Sequence, residues 1–297
     1  MVVNGVAWEN VVEVFYTGLY LVIFSISLML LISLGLAVIF GMMKVINLAH
    51  GEFMMVGGYT CVLTVNAGAP LWLGVLFGGL VTGVLGIIVE RLVIRFLYGR
   101  IIDTLLATWG LSLLFVGAAT TIFGASGMGI STEFTNVSIG GMNVSSYNLI
   151  VCAFSIALAL LTWWLAVGTK VGLIVRGTMQ VPEVASCLGV DRSKVYMATF
   201  GFGSCLAGLA GAALAPITGV SPAMGAFFIA KAFITVIVGG HLPLIGATAA
   251  SSIFGAIDGV VSYIYSSVTG EVSMLIAAVL LLRLLPLGIT GRMKKGM

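Results

Sequence analysis

Residues 14–41 read VFYTGLYLVIFSISLMLLISLGLAVIFG, an apolar run without a charged side chain. About 20 apolar residues are enough for an α-helix to cross the hydrocarbon core of a bilayer. Similar runs recur along the whole chain, in which 60% of the residues are hydrophobic and only 8% are charged. Because soluble domains carry about 25% charged residues, this composition excludes a soluble enzyme, a nucleic-acid-binding protein and a disordered protein. The chain is therefore predicted to be an all-α, polytopic membrane protein.

The other apolar runs set the expected number of helices. They lie at about 53–67, 71–94, 104–123, 147–168, 195–217, 226–240, 242–264 and 272–288. The run at 226–240 is shorter than the roughly 17–25 residues of a full span, which indicates a tilted or re-entrant helix or one half of a broken helix. We expect about 8–10 transmembrane or re-entrant helices in a single transmembrane domain over residues 1–297.

The basic residues predict the orientation of the chain. They cluster after the third and fifth apolar runs and at the C-terminal end, and no basic region precedes the first run. Four connections contain no lysine or arginine: 66–70, 124–146, 218–225 and 265–271. Since positively charged loops stay in the cytoplasm, this pattern predicts a multi-pass protein of the inner (plasma) membrane with a periplasmic N-terminus and a cytoplasmic C-terminus. Residues 124–146 would form a periplasmic loop and residues 169–194 a cytoplasmic one.

Small residues recur at every fourth position in two of the runs. One stripe comprises Gly74, Gly78, Thr82 and Gly86, and the other comprises Gly203, Ala207, Gly211 and Ala215. This spacing lets helix backbones approach closely, so we expect tight packing within the chain, with a contact between subunits as the alternative. A weak similarity between GASGMG at 124–129 and GVSPAMG at 219–225 suggests an internal repeat.

The loop TKVGLIVRGTMQVPEVASCLGVDRSK at 169–194 carries the signals of a short helix. Pro182 suits the first helical turn, where its missing N–H costs nothing, and Glu183 lies at the positive end of the helix dipole. Gly189 is a typical C-terminal stop. We therefore expect a helix over about 182–188 that lies across the cytoplasmic face.

This segment resembles the EAA-xxx-G loop of ABC importer permeases, with Val184 in place of the middle alanine. In that family the loop forms a coupling helix that docks into a cleft on the ATP-hydrolysing subunit. The resemblance implies a role in coupling for six residues: Arg176, Gln180, Pro182, Glu183, Ala185 and Gly189. The alternative is an ordinary amphipathic helix in a loop.

Five stretches extend the resemblance over most of the chain. They are KVINLAHGEFMMVGGY (44–59), DTLLATWGLSLL (103–114), RGTMQVPEVASCLGVDRSKVYMATFGFGSCLAGLAGAALAP (176–216), MGAFFIAKAFITVIVGGHLPLIGA (224–247) and LLLRLLPLGITGR (280–292). In this order they closely resemble permeases of branched-chain amino acid and urea/amide importers, the LivH/LivM type. The chain departs from that pattern at Gly239–Pro243, where a histidine and a proline intrude, and at Gln180–Glu183, which lacks a basic–acidic pair.

The resemblance implies one of two homologous permease subunits in an ATP-driven importer. Two ATP-binding subunits and a periplasmic substrate-binding protein would complete the transporter, and the partners would include the lipid bilayer but no nucleic acid. ATP and Mg²⁺ would be bound by the ATPase subunits, with no cofactor in this chain. The chain contains no GxxxxGK[ST] phosphate-binding loop, the motif by which many ATPases hold the phosphates.

Polar residues inside apolar runs are the candidates for the translocation path, because ionisable side chains in a membrane are functional by default. Asn47, His50 and Glu52 lie where Gly41 and Gly51 predict a broken helix. They form either a polar latch that shapes the break or a lining of the path. Lys231 either extends to the membrane surface or has a role in the path or between helices. A metal site is not expected, since the chain has only two histidines and no HExxH motif.

Two other classes of protein share isolated features with this chain. Gly124–Gly127 matches the GxSG of rhomboid-type intramembrane proteases, in which Ser126 would be the nucleophile and His241 its activator. Ser126 opens a polar loop, however, and is not at the buried start of a helix. An ion-driven secondary transporter is the other alternative, and the EAA-like loop argues against it.

The charges along the expected path limit the substrate. Glu52, Lys231, Asp258 and His50 form neither a basic cluster for sulfate or phosphate nor an acidic cluster for a polyamine or metal. We therefore expect a neutral or zwitterionic small solute. LYGRIIDTLLATWGLSLL at 97–114 looks closer to the urea/amide branch, which favours urea or a short amide over branched-chain amino acids.

Overall fold

The computed structural model describes residues 3–130, 136–139, 142–240 and 242–291, with side chains from residue 15 onward except at 137–139 and 142–143. Its α-helices are α1 (Val3–Met43), α2 (His50–Asn66), α3 (Leu71–Leu92), α4 (Ile101–Phe123), α5 (Ser146–Gly168), α6 (Lys170–Gln180), α7 (Pro182–Cys187), α8 (Arg192–Thr218), α9 (Met224–Gly239), α10 (Pro243–Ile264) and α11 (Ser267–Leu284). A 3₁₀ turn, Ile94–Leu97, precedes α4. Two short antiparallel strands, β1 (Asn136–Ile139) and β2 (Met142–Ser145), pair with Asn136 opposite Ser145.

Seven of the described helices are long and apolar enough to cross a membrane. Their candidate membrane spans begin at Phe15, within α1, and at Leu71, Ile101, Ser146, Arg192, Pro243 and Ser267. The helices α2 and α9 are shorter, with 17 and 16 residues. The prediction of an all-α polytopic membrane protein is confirmed, and the short hairpin in the loop after α4 is an addition to it.

The connections between the long helices gather at two ends of the bundle. At one end, the Tyr98 ring lies 4.6 Å from the Tyr196 ring, which joins the connection after α3 to the start of α8. At the other end, Met128 and Val220 form an isolated antiparallel bridge with two N–H···O bonds of 2.8 Å. We call these the basic end, with residues 44, 93–100 and 169–191, and the neutral end, with residues 67–70, 124–130, 219–223 and 265–266.

The two most extensive helix pairings are related to each other. α3 packs along α8, and α10 packs along α1. Exchanging α1 with α8, α2 with α9 and α3 with α10 converts one pairing into the other, as expected for an internal repeat. In this correspondence residues 219–223 match 44–49, because each connects a long helix to a short one. The weak sequence similarity between residues 124–129 and 219–225 therefore relates two segments that do not correspond to each other in this repeat.

The two stripes of small residues pack against different helices. A Cβ atom on Gly78 of the first stripe would lie 2.8 Å from the Cβ of Ala212 on α8, whereas one on Gly203 of the second stripe would lie 2.9 Å from the carbonyl oxygen of Gly35 on α1. These spaces are too small for added side-chain atoms, so the helix axes can approach this closely only with small residues. The expected tight packing within the chain is confirmed.

The chain turns back into the bundle after α1. Lys44 ends this helix with φ 53°, and among the described residues it is the one non-glycine with a positive φ. Its N–H still donates to the Phe40 carbonyl at 2.9 Å, while its side chain is exposed at the basic end. Residues 44–49 are not helical, so the predicted break between Gly41 and Gly51 is confirmed.

Candidate functional site

The short helices α2 and α9 begin next to each other inside the bundle. A Cβ atom on Gly51 would lie 2.7 Å from the Gly225 Cα, and one on Gly225 would lie 2.8 Å from the Glu52 Oε1. The His50 Nε2 lies 2.9 Å from the carbonyl of Ile32, which is well inside the long apolar helix α1. We call this meeting point of the two first turns the junction. Two helix N-termini, each with a positive partial charge, therefore face one buried region.

The junction contains three of the polar residues singled out in the sequence. Asn47 and His50 are fully buried and Glu52 is 3% exposed. The Asn47 Oδ1 accepts from the Ala49 N–H at 3.1 Å, which shapes the turn into α2. Since a carbonyl only accepts, the His50 Nε2 donates to Ile32, and Glu52 hydrogen-bonds to Ser112 of α4. His50 and Glu52 are thus held by different neighbouring helices.

Each of these three side chains also keeps one buried polar atom without a hydrogen-bond partner. The atoms are Asn47 Nδ2, His50 Nδ1 and Glu52 Oε2. An unsatisfied buried polar group costs about 1–3 kcal/mol, so a cluster of them is uncommon in a purely structural core. The satisfied atoms of the junction thus join the start of α2 to α1 and α4, while the other three remain available as donors or acceptors.

Lys231 lies in a separate cavity of about 470 Å³ that opens at the neutral end. Its Nζ lies 2.6 Å from the Glu271 Oε1 of α11, and its side chain is 18% exposed. Asp258 of α10 is close enough to interact with both, and it hydrogen-bonds to Ser25 and Ser262. Asp258 and Lys231, both named from the sequence, thus lie near each other, and Glu271 is a partner that was not expected from the sequence.

The lining of this cavity combines charges with apolar surface. Its described side chains include four serines, Ser25, Ser221, Ser262 and Ser267. Its apolar side chains are Phe24, Leu28, Met224, Phe227 and Phe228. Ligand pockets of a few hundred Å³ commonly have this composition, with a few polar groups that orient the ligand against an apolar wall.

The connection between α5 and α8 holds the helix predicted at 182–188, which the structure places at Pro182–Cys187. Pro182 occupies its first turn, and Gly189 ends it with φ 85°. The Val190 N–H donates to the Ala185 carbonyl at 3.0 Å and closes the C-terminal turn. Ala185 is buried, whereas Val184 and Leu188 are 54% and 79% exposed. α7 therefore presents an apolar knob at the basic end.

A second helix precedes it, α6, which the sequence analysis treated as loop. Thr169 caps α6 by accepting from the Gly172 N–H at 3.1 Å, and this threonine was the signal that could have located the helix. Arg176 lies on α6 with its Nε 3.4 Å from the Gly172 carbonyl, and Gln180 is exposed at its end. The structure thus brings the six candidate coupling residues onto two consecutive helices and the turn that follows.

Asp191 links this region to α8 as its N-cap. Its Oδ1 accepts from the backbone N–H groups of Lys194 at 3.4 Å and Ser193 at 3.0 Å. These two hydrogen bonds, with Lys194 first in importance, lower the pKa of the exposed Asp191 carboxyl below its usual value. The start of α8 is therefore held by a group that titrates in acid.

The structure offers little for the alternative functions. Ser126 is exposed in the non-helical segment after α4, unlike a nucleophile at the buried start of a helix, and His241 lies outside the described residues. Within the described part of the chain, no three His, Cys, Asp or Glu side chains come together to hold a metal ion.

Known proteins resemble the chain over nearly its whole length. The family model for the permease component of the branched-chain amino acid transport system matches residues 18–285. The probable branched-chain amino acid transport permease protein LivH of Methanocaldococcus jannaschii is 28% identical over 283 residues, covering 89% of each chain. No solved structure matches the chain significantly.

Two bacterial relatives are similar to a comparable degree. The high-affinity branched-chain amino acid transport system permease protein LivH of Escherichia coli is 25% identical over 284 residues, covering 88% of this chain and 91% of the relative. The protein BraD of Pseudomonas aeruginosa, of the same description, is 25% identical over 281 residues with the same coverage. The names of these three relatives refer to branched-chain amino acids, so the expectation of urea or an amide stays a prediction.

Proposed function

The chain belongs to the family of branched-chain amino acid transport permeases, and from this premise we propose that it is the membrane-spanning subunit of an ATP-binding-cassette importer for branched-chain amino acids. The match to that family over residues 18–285 is the observation that carries the proposal. A second, homologous permease, two ATP-binding subunits and a periplasmic substrate-binding protein complete the transporter. In this arrangement ATP and Mg²⁺ bind to the ATPase subunits.

α7 is the contact with an ATPase subunit in this proposal. It is short, ends at a left-handed glycine, and exposes Val184 and Leu188 on its outer side. An exposed apolar patch of this kind usually marks an interaction site. The buried Ala185 fixes the helix to the bundle, so that movement of the partner is passed on to the membrane helices. Glu183 and Gln180 are exposed around the patch and contribute polar contacts at its rim.

The basic end is the cytoplasmic side in this proposal, and the neutral end is the periplasmic one. The support is the location of the described basic residues on connections, with Lys44, Arg100 and Lys170 at the basic end and none in the connections of the neutral end. Positively charged loops remain in the cytoplasm during insertion. Substrate then enters from the cavity around Lys231 and passes the junction at Asn47, His50 and Glu52.

Branched-chain amino acids are preferred as the substrate for two reasons. The relatives are described as permeases for these amino acids, and the cavity that contains Lys231 has an apolar wall. The likeness of residues 97–114 to the urea/amide branch is the observation that favours urea or a short amide. The same assay therefore has to include both classes of solute.

The proposal is tested by purifying the chain with its encoded partners and reconstituting the complex in liposomes. Copurification of two ATPase subunits and a second permease, and ATP-dependent uptake of leucine with the binding protein, are expected. Uptake of urea or acetamide without uptake of leucine would reverse the choice of substrate. Uptake driven by an ion gradient in the absence of ATP would refute the proposal altogether.

A further inference from the structure

We infer that the cavity around Lys231 binds the charged main-chain groups of a zwitterionic amino acid. Lys231 takes the carboxylate, and Glu271 with Asp258 takes the ammonium group. The inference rests on the proposed function, which it deepens by assigning a substrate site to residues of this chain. Its first observation is geometric, since the three charged side chains come from three helices, α9, α11 and α10, and line one cavity of about 470 Å³.

The charges fit a zwitterion better than an ion or a neutral amide. The Lys231 Nζ and the Glu271 Oε1 are 2.6 Å apart, and Asp258 lies within electrostatic reach of both. A zwitterion can insert into such a pair, because its carboxylate meets the lysine and its ammonium group meets the glutamate. The net charge of the cavity then stays the same. A neutral amide carries neither a carboxylate for Lys231 nor an ammonium group for Glu271, so it forms no ion pair with either side chain.

The openness of the ion pair distinguishes a ligand site from a structural contact. The side chains of Lys231 and Glu271 are 18% and 48% exposed, and both border the cavity. Such a half-open pair between two helices contributes little to stability. Ser25 and Ser262, which hydrogen-bond to Asp258, hold its carboxylate in place, so that the acidic side of the site is oriented before a ligand arrives.

The apolar wall supplies the place for the side chain of the ligand. Phe24 and Leu28 come from α1, and Met224 and Phe228 come from the first turns of α9. Met224 also neighbours Gly225, which belongs to the junction. An aliphatic side chain held against this wall lies on the way from the cavity to the buried polar atoms of α2. The site is therefore suited to an α-amino acid with an apolar side chain, and it lies at the end of the bundle opposite α7.

Substrate protection tests the inference independently of transport. The assembled complex carries Ser267→Cys, which places a thiol at the exposed edge of the cavity. The native Cys187 is exposed, so it is replaced by serine to prevent it from reacting. Leucine is expected to slow the reaction of this thiol with a charged methanethiosulfonate reagent. 4-Methyl-2-oxopentanoate, which lacks the ammonium group, and urea should not. Ser145→Cys, near the same end but outside the lining of the cavity, is the matched control and should be unaffected.

Variants of the charged residues identify the groups involved. Lys231→Met or Glu271→Gln should lower protection and leucine uptake by about tenfold or more, the effect of losing one charge-assisted hydrogen bond. Arg100→Met removes a cation from an exposed ion pair with Asp103 on α4 and should leave both readouts unchanged. Exchanging the charges, with Lys231→Glu and Glu271→Lys together, restores an ion pair but not the arrangement relative to Asp258, so it should not rescue either readout.

The outcomes separate the inference from the proposed function. Leucine uptake with no protection, or full activity in the charge-exchanged variant, would overturn the inference and leave the importer for branched-chain amino acids standing. Protection by leucine without leucine uptake would support the site and contradict the proposed substrate. Neither protection nor uptake would contradict both.

Discussion

Gly51 and Gly225 touch backbone to backbone where α2 and α9 begin. A Cβ atom on Gly51 would lie 2.7 Å from the Gly225 Cα, a distance that no real side chain tolerates without movement. These two residues are far apart in the chain and occupy equivalent places in the internal repeat. Their contact joins the two halves of the chain at the point where Asn47, His50 and Glu52 are buried.

Alanine at position 51 or 225 should destabilise the protein. The added methyl group collides with backbone rather than with a mobile side chain, and overpacking of this kind costs about 1–3 kcal/mol. Thermal unfolding of the purified complex in detergent measures the loss. Gly110→Ala is the matched control, because nothing lies within 4 Å of a Cβ at this position of α4 and alanine favours a helix by up to about 1 kcal/mol over glycine. Equal unfolding temperatures for all three variants would contradict the described contact.

Replacing Gly189 with leucine should weaken the stimulation of ATP hydrolysis by the substrate-loaded binding protein. Gly189 has φ 85°, a conformation that costs other residues about 1–2 kcal/mol, so the end of α7 would change shape. The expected result is reduced ATP hydrolysis in the presence of substrate-loaded binding protein, with normal insertion into the membrane. Gly99→Leu, at φ 81° on another connection of the basic end, applies the same strain away from α7 and should have little effect.

Glu183→Lys should also reduce coupling, since it reverses the charge at the positive end of α7 and at the rim of its exposed patch. The measurement is again the ratio of stimulated to basal ATP hydrolysis in proteoliposomes. Glu183→Gln keeps the size of the side chain and should have a smaller effect. If the lysine variant retains full coupled transport, α7 is not the coupling element.

Cysteine labelling should place Ser145 and Ser193 on opposite sides of the membrane. Ser145 ends β2 at the neutral end, whereas Ser193 lies in the first turn of α8 at the basic end. In a Cys187→Ser background, an impermeant thiol reagent added to intact cells should label Ser145→Cys. Labelling of Ser193→Cys should require permeabilised cells or inverted vesicles. The reverse pattern would invert the proposed orientation.

The start of α8 should loosen in acid. The pKa of Asp191 is lowered in the folded protein by hydrogen bonds from the backbone N–H groups of Lys194 and Ser193. The lowered pKa stabilises the folded protein when the pH is above about 3.9, the pKa of an aspartate in the unfolded chain. This contribution disappears as the pH falls through the lower pKa of Asp191 in the folded protein. Hydrogen exchange at Ser193 and Lys194 should therefore accelerate below that range. Asp191→Asn, which still caps a helix, should lose this pH dependence.

Local features of the chain were predictable because neighbouring residues determine them. Pro182 and Gly189 bounded α7 correctly, since a proline fits only the first turn and a glycine adopts the left-handed end without strain. Gly41 and Gly51 flank the break after α1 but lie within α1 and α2, where they allow close contacts with Pro243 and Gly225, and the left-handed residue at the break is Lys44. α6 was missed for two reasons. Its cap, Thr169, directly follows the last residue of α5, and the apolar residues of α6 do not form a run long enough to cross a membrane.

Contacts between distant helices were not predictable from one sequence. The pairing of Lys231 with Glu271 depends on how α9 and α11 pack, and nothing in either segment names the other. The stripes on α3 and α8 indicated close packing but not which helices they would contact: Gly78 meets Ala212 of α8, whereas Gly203 meets Gly35 of α1. The charged cavity was therefore recognised only in part, through Lys231 and Asp258.

The strained backbone at Lys44 limits how deep the junction can lie in the bilayer. A glycine would adopt φ 53° more readily, yet the chain has a lysine there, with an exposed side chain whose ammonium group prefers the lipid headgroups. From Lys44 the chain reaches His50 over six residues, which span about 20 Å at most. With Lys44 at the headgroups, this reach sets an upper limit on the depth of His50, and the limit exceeds the half-thickness of about 15 Å of the hydrocarbon layer. Bilayers of different thickness would displace Lys44, and with it the buried polar atoms of α2.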